Sequence, residues 1–118
     1  MQNIFGQKVR ALRELQGLSQ ADVSRKLGYA GGGYVHDVER GAFIPPEAKR
    51  KHFAKALSVT PDLMEDIVLE AKLVDLGIRE PGFVSMFKDY RKLSRADRQS
   101  IIRTYQEIKK RKDGPDRP

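Results

Sequence analysis

The sequence predicts an all-α fold, and three observations carry that expectation. No stretch alternates β-branched and polar residues between turn signals, so no strand is expected. Apolar residues recur instead at helical spacing along most of the chain. Serine, threonine and proline open these segments and glycine closes them, as helix boundaries require.

Phe5, Val9, Leu12 and Gln16 share one face with Leu15 beside it, which predicts a first helix over residues 4–16 stopped by Gly17. Ser19 is placed to N-cap a second helix, and Asp22 at N3 can reach back in a capping box. Val23 and Leu27 form the buried face of that helix, and Gly28 ends it. Residues Tyr29 to Gly33 hold three consecutive glycines, too costly for a helix interior, so the turn is placed there. A third helix over residues 33–40 buries Val35 and Val38, and Gly41 supplies its left-handed stop. The fourth opens with Pro46 at N1 and buries Phe53, Ala54 and Leu57.

Thr60-Pro61-Asp62 gives the fifth helix an N-cap, an N1 proline and a first-turn acid. Leu63, Ile67, Val68, Ala71, Val74 and Leu76 carry it to Gly77. Residues 77–82 read as a linker or tight turn. Phe83, Met86, Phe87 and Tyr90 line a short sixth helix, and Ser94 caps a seventh with a stripe of Ile101, Ile102, Tyr105 and Ile108. The end of the chain has two prolines, a glycine and no apolar residue, so residues 113–118 are expected to be disordered.

Composition narrows the function. The chain has 118 residues, a formal charge of +7 and no cysteine, which excludes disulfides, cysteine zinc sites and thiol catalysis and fits a reducing cytosol. No apolar run approaches the roughly 20 residues that cross a bilayer, and no signal peptide is visible at the start. Residues 1–57 carry +5, residues 58–87 carry −4 and residues 88–118 carry +6. Two basic segments flank an acidic one, and the excess favours a polyanionic partner.

The most informative pattern lies between Leu18 and Gly41: two short amphipathic segments joined by a glycine-rich turn, a helix-turn-helix that can place its second helix in the major groove of DNA. Leu18-Ser19-Gln20 opens it, Leu27-Gly28-Tyr29 closes the first segment, and Tyr34-Val35-His36-Asp37-Val38-Glu39-Arg40-Gly41 forms the second. This stretch resembles the lambda-repressor-like, or XRE-type, family of helix-turn-helix transcriptional regulators, and the likeness spans about residues 5–69. The resemblance implies a five-helix lambda-repressor-like DNA-binding domain followed by a short C-terminal helical extension. On that reading residues 1–76 form the DNA-binding domain and residues 77–112 a dimerising extension. It implies a cytoplasmic regulator of bacterial, phage or plasmid origin, most simply a repressor binding a palindromic operator as a homodimer. The alternative is an antitoxin-like module that binds a regulatory protein partner and autoregulates its promoter.

The candidate DNA-binding residues are Gln20, Gly32, Gly33, Tyr34, His36, Asp37 and Arg40. Gln20 begins the second helix, where its amide and the helix dipole can hold a phosphate. His36 can donate to guanine or to a phosphate; Asp37 can accept from cytosine or orient a neighbouring arginine. Tyr34 is either a core aromatic or a phosphate donor, and Arg40 suits a phosphate. Gly32 and Gly33 occupy positions where a base-reading side chain would help, so either the backbone approaches DNA closely or DNA shape supplies specificity. The second and third helices must cross closely, and Ser24 is the small residue at that point. Family members pair the acid at Glu39 with an arginine of the first helix, and Arg13 holds the matching position, implying a structural salt bridge. Arg50 stands where an apolar residue usually faces the core, so either it extends to the surface or the fourth helix is shifted.

Phe83, Phe87, Ile101, Tyr105 and Ile108 are the candidate dimerisation residues; their apolar surface either packs on the fifth helix or pairs with a second copy. Lys109 to Lys112 can add DNA contacts or complement the last helix's dipole. No enzyme is expected, nor any metal or cofactor: His36 and His52 are the only histidines, and the glycine triplet lacks the Lys-Ser/Thr that follows in nucleotide phosphate loops.

Overall fold

The computed structural model describes residues 3–112, and among them the chain is all helical. Seven helices follow in order: α1 (Ile4–Leu15), α2 (Gln20–Lys26), α3 (Gly33–Glu39), α4 (Glu47–Ala56), α5 (Pro61–Asp75), α6 (Pro81–Tyr90) and α7 (Arg95–Lys112). The tail expected to be disordered, residues 113–118, lies outside the described residues. Contacts divide the chain after Val84 into two compact units, so α6 begins in the first and ends in the second. No described helix is long and apolar enough to cross a membrane.

In the first unit α5 packs on α1 and α4, and α3 packs on α1 and α2. Their shared interior holds Phe5, Val9, Val23, Val35, Val38, Phe53, Leu57 and Met64, each with essentially no exposed surface. Caps hold the ends. The Asn3 side chain accepts from the Gly6 amide at 3.2 Å, and its own amide donates to the Gly41 carbonyl at 3.1 Å, tying the start of α1 to the end of α3. Ser19 and Asp22 exchange hydrogen bonds at 2.9 and 2.8 Å, a complete capping box on α2. Thr60 caps α5, with Pro61 in its first turn.

Several boundaries and faces differ from the sequence reading. Pro46 is the N-cap of α4 rather than its first helical residue. On α5, Ile67, Val68 and Ala71 are buried as expected, but Leu63 and Leu76 are exposed while Met64 and Leu73 are buried, and Glu65 pairs with Arg50 of α4. Leu15, set beside the apolar face of α1, is 84% exposed. Helix α6 starts at Pro81 and takes in Gly82, and its buried residue is Val84.

Arg50 keeps the fourth helix in place without an apolar side chain. Its guanidinium grips both carboxylate oxygens of Glu65 at 2.7 Å and donates to the Pro45 carbonyl at 2.8 Å. The Glu65 hydrogen bonds hold its pKa above the ordinary arginine value. A second, more exposed pair, Lys8 to Glu70 at 2.9 Å, joins α1 to α5.

In the second unit a short turn joins α6 to α7. Ser94 caps α7 through the Asp97 amide, and Arg98 donates to the Tyr90 carbonyl at 2.9 Å with its guanidinium 5.3 Å from the Tyr90 ring centre. Ile101 and Ile102 are half-buried, whereas Tyr105 and Ile108 are 61% and 45% exposed. Met86 and Phe87 are also exposed, as is Phe83 just before the division. Lys109 to Lys112 occupy the last turn of α7.

Candidate nucleic-acid interface

Helices α2 and α3 form two arms of a tight corner. Ser24, fully buried, stands at the crossing, where a bulkier side chain would force the helices apart, and its hydroxyl donates to the Gly31 carbonyl. Gly28 and Gly31 take φ of +84° and +76°, a left-handed backbone that only glycine adopts without strain, so these two residues set the corner. Gly32 is the N-cap of α3; a β-carbon there would meet the Gln20 β-carbon at 3.4 Å, an ordinary contact.

The buried face of α3 is Val35, Val38 and Glu39. Glu39 is held by two neighbouring side chains, Arg13 and Gln20. Arg13 Nε and Nη2 donate to its two carboxylate oxygens at 2.6 and 2.9 Å, and Arg13 Nη1 donates to the Leu18 carbonyl at 2.8 Å. The side chains are 12% and 3% exposed, so the pair is largely out of water. The Glu39 hydrogen bonds raise the Arg13 pKa further above its ordinary value. One ion pair thus joins α1, the loop before α2, and α3.

Gln20 belongs to the same network. Its amide nitrogen donates to Glu39 Oε1 at 3.1 Å, which fixes the side chain and leaves its second N–H and its carbonyl for other partners. The outward strip of α3 carries Gly33, His36, Asp37 and Arg40. Arg40 Nε donates to Asp37 Oδ1 at 3.0 Å, so the acid neutralises part of the strip and orients the arginine. Gly33, His36 and Arg40 are exposed and Asp37 is half-exposed.

Two concave regions flank that strip. On one edge, Gln7, Arg10, Gln20, His36 and Arg40 line an open cleft together with Glu14 and Glu39; Glu14 pairs with Arg10 at 3.1 Å. On the other edge, Tyr34 packs at 4.9 Å from Tyr29, 5.4 Å from Phe43 and 6.1 Å from Phe53, measured between ring centres. Burial raises the Tyr34 phenol pKa. Lys49 reaches over this cluster, 4.9 Å from the Tyr29 ring centre and 5.3 Å from that of Tyr34, and donates to the Tyr29 hydroxyl. That hydrogen bond raises the Lys49 pKa.

Gln20, Gly32, Gly33, His36, Asp37 and Arg40 therefore lie along one continuous surface, with Tyr34 at its edge. Nothing in the chain marks Gly6, and Lys49 falls in the basic run Lys49-Arg50-Lys51-His52, whose simplest reading is a solvated face. Tyr29 closes the second helix in the family pattern, but nothing in its spacing announces a stack with Tyr34 and Lys49. Among the described residues no group of three histidine, aspartate or glutamate side chains is placed to hold a metal ion.

Residues 4–67 match the family described as a helix-turn-helix domain, a span that begins with α1 and ends inside α5. No curated protein and no solved structure matches the chain.

Proposed function

This chain belongs to the family of helix-turn-helix domains, and from that premise we propose that it is a sequence-specific transcriptional regulator that binds double-stranded DNA. The observation that carries the reading is the orientation of α3. Its valines and Glu39 are anchored inward, while Gly33, His36, Asp37 and Arg40 form an outward strip beside the N-terminus of α2. That is the presentation a recognition helix needs to enter the major groove. The +7 charge adds an attraction to the phosphate backbone that does not depend on sequence.

On this reading α1 to α5 are the lambda-repressor-like DNA-binding unit and α6 and α7 an extension that joins two copies. The exposed Met86, Phe87, Tyr105 and Ile108 favour such a pairing, because apolar side chains this large gain by leaving water. A two-fold dimer would set two α3 helices about 34 Å apart, matched to half-sites one DNA turn apart on a palindromic operator. Repression follows most simply, since an occupied operator blocks polymerase without further contacts. The chain acts by binding, not by catalysis.

Footprinting on the DNA upstream of its own gene, paired with sedimentation analysis of the free protein, tests both parts. A discrete two-fold footprint and a dimer mass are expected. Uniform weak protection across all sequences would overturn the sequence-specific reading, and a monomer at micromolar concentration would overturn the dimer.

A further inference from the structure

The Lys49 cluster has a chemistry that the strip on α3 does not explain. An ammonium has three N–H donors. One goes to the Tyr29 oxygen, and among the described residues no carboxylate pairs with Lys49. The Tyr29 hydroxyl accepts that bond, so its own proton is left to donate. The pair therefore offers donors and positive charge outward and no negative acceptor. Two tyrosine rings hold the ammonium from behind through their negative faces. A surface lysine normally loses several rotamers when it binds; this one is already held. The rings are themselves fixed, since Tyr34 packs on buried Phe53.

Position supplies the second half of the case. At about 100° per residue, His36 lies roughly 160° round α3 from Tyr34. Arg40, Gly33 and Asp37 fill the exposed arc between them. The Arg10–His36–Arg40 cleft thus borders one edge of the strip and the Lys49–Tyr29 pair the other. A helix lying in a major groove has one phosphate strand along each edge.

We propose that Lys49 and the Tyr29 hydroxyl form a preset phosphate clamp that holds the DNA backbone along the Tyr34 edge of α3, opposite the strand faced by Arg10, His36 and Arg40. The inference rests on the DNA-binding reading given above. The pair positions the duplex and reads no base, so it acts on every sequence alike.

The test is fluorescence anisotropy of the full chain with a fluorescein-labelled duplex of random sequence, titrated over a series of salt concentrations. Lys49→Met keeps the apolar stem over the rings and removes the charge. It should lower the slope of log affinity against log salt by about 0.9 for each protomer bound and weaken binding several-fold at low salt. Lys49→Arg should keep the wild-type slope. Tyr29→Phe should keep most of the slope and weaken binding, since the ring stays and the hydroxyl goes. Thermal melting of each variant confirms that it is folded. A Lys49→Met protein with wild-type slope and affinity, beside an Arg40→Gln protein that loses slope, overturns the clamp and leaves the regulator standing. A wild-type chain that fails to bind any duplex overturns the regulator and the clamp together.

Discussion

A β-carbon placed on Gly6 would lie 2.3 Å from the Val38 carbonyl oxygen. Helix α1 therefore crosses the end of α3 at backbone contact, with the Glu39 carbonyl oxygen only 2.5 Å from the same point. No side chain fits there, and the obstacle is backbone, which cannot swing away. The close approach also brings Arg13 within reach of Glu39.

Gly6→Ala should accordingly destabilise the protein, by about 1–3 kcal/mol as overpacked cores do. The sign is the informative part, because glycine to alanine inside an unobstructed helix gains about 1 kcal/mol. Urea unfolding should show a lower midpoint with the slope unchanged. An alanine variant as stable as wild type would mean that α1 and α3 do not touch at this point.

Arg13→Ala should cost about 3–5 kcal/mol, the range for stripping one partner from a buried ion pair. Three losses combine: the Glu39 carboxylate, 3% exposed with Arg13 in place, loses its cation, the Leu18 carbonyl loses a donor, and Gln20 is left alone on Glu39. The melting temperature should fall before any base preference changes. An unchanged melting temperature would exclude a structural role for the Arg13–Glu39 pair.

Much of this was readable from residue types and spacing, for identifiable reasons. The capping box, the Thr60-Pro61-Asp62 start of α5 and the inward Val35 and Val38 are local or periodic features, and such features survive folding. The Arg13–Glu39 pairing entered only through the family resemblance, since 26 residues separate the partners. What stayed hidden depends on distance in space. Nothing near Gly6 in the chain indicates that α3 will press on it, and a helical glycine is otherwise only a weak residue. Arg50 stands where the family pattern has an apolar residue, and its partner Glu65, 15 residues away on another helix, is not announced by spacing. Lys49 is one of several cations on α4, and only the fold brings Tyr29 and Tyr34 beneath it.

The capping box makes part of α2's stability depend on pH. The Asp22 carboxylate is held below the ordinary aspartate range, chiefly by the Ser19 amide it accepts from, then by the Ser19 hydroxyl interaction, with a smaller pull from Arg25. A depressed folded pKa contributes stability that is present above the unfolded value of about 4 and is lost as pH falls through the folded value. The melting-temperature gap between wild type and Asp22→Ala should therefore be widest near neutral pH and close on acidification. A gap that stays constant into strong acid would show that the carboxylate charge is not what holds the cap.

Gly33 separates the demands of the fold from those of the partner. A β-carbon there would meet nothing within 4 Å, and its φ is not left-handed, so the fold has no use for glycine at this position. Glycine in a helix also gives up conformational entropy on folding, so Gly33→Ala should stabilise the protein by about 0.5–1 kcal/mol. If α3 lies against DNA with its bare first turn close to the duplex, the same methyl should weaken binding, because it fills the space that the backbone or a base edge occupies in the complex. Stability and affinity then move in opposite directions for one added carbon, the pattern expected where a site trades fold stability for access. Urea unfolding and duplex titration on the same preparation measure both. A variant that gains stability with unchanged affinity would place the first turn of α3 away from the DNA and shift the contact to His36 and Arg40.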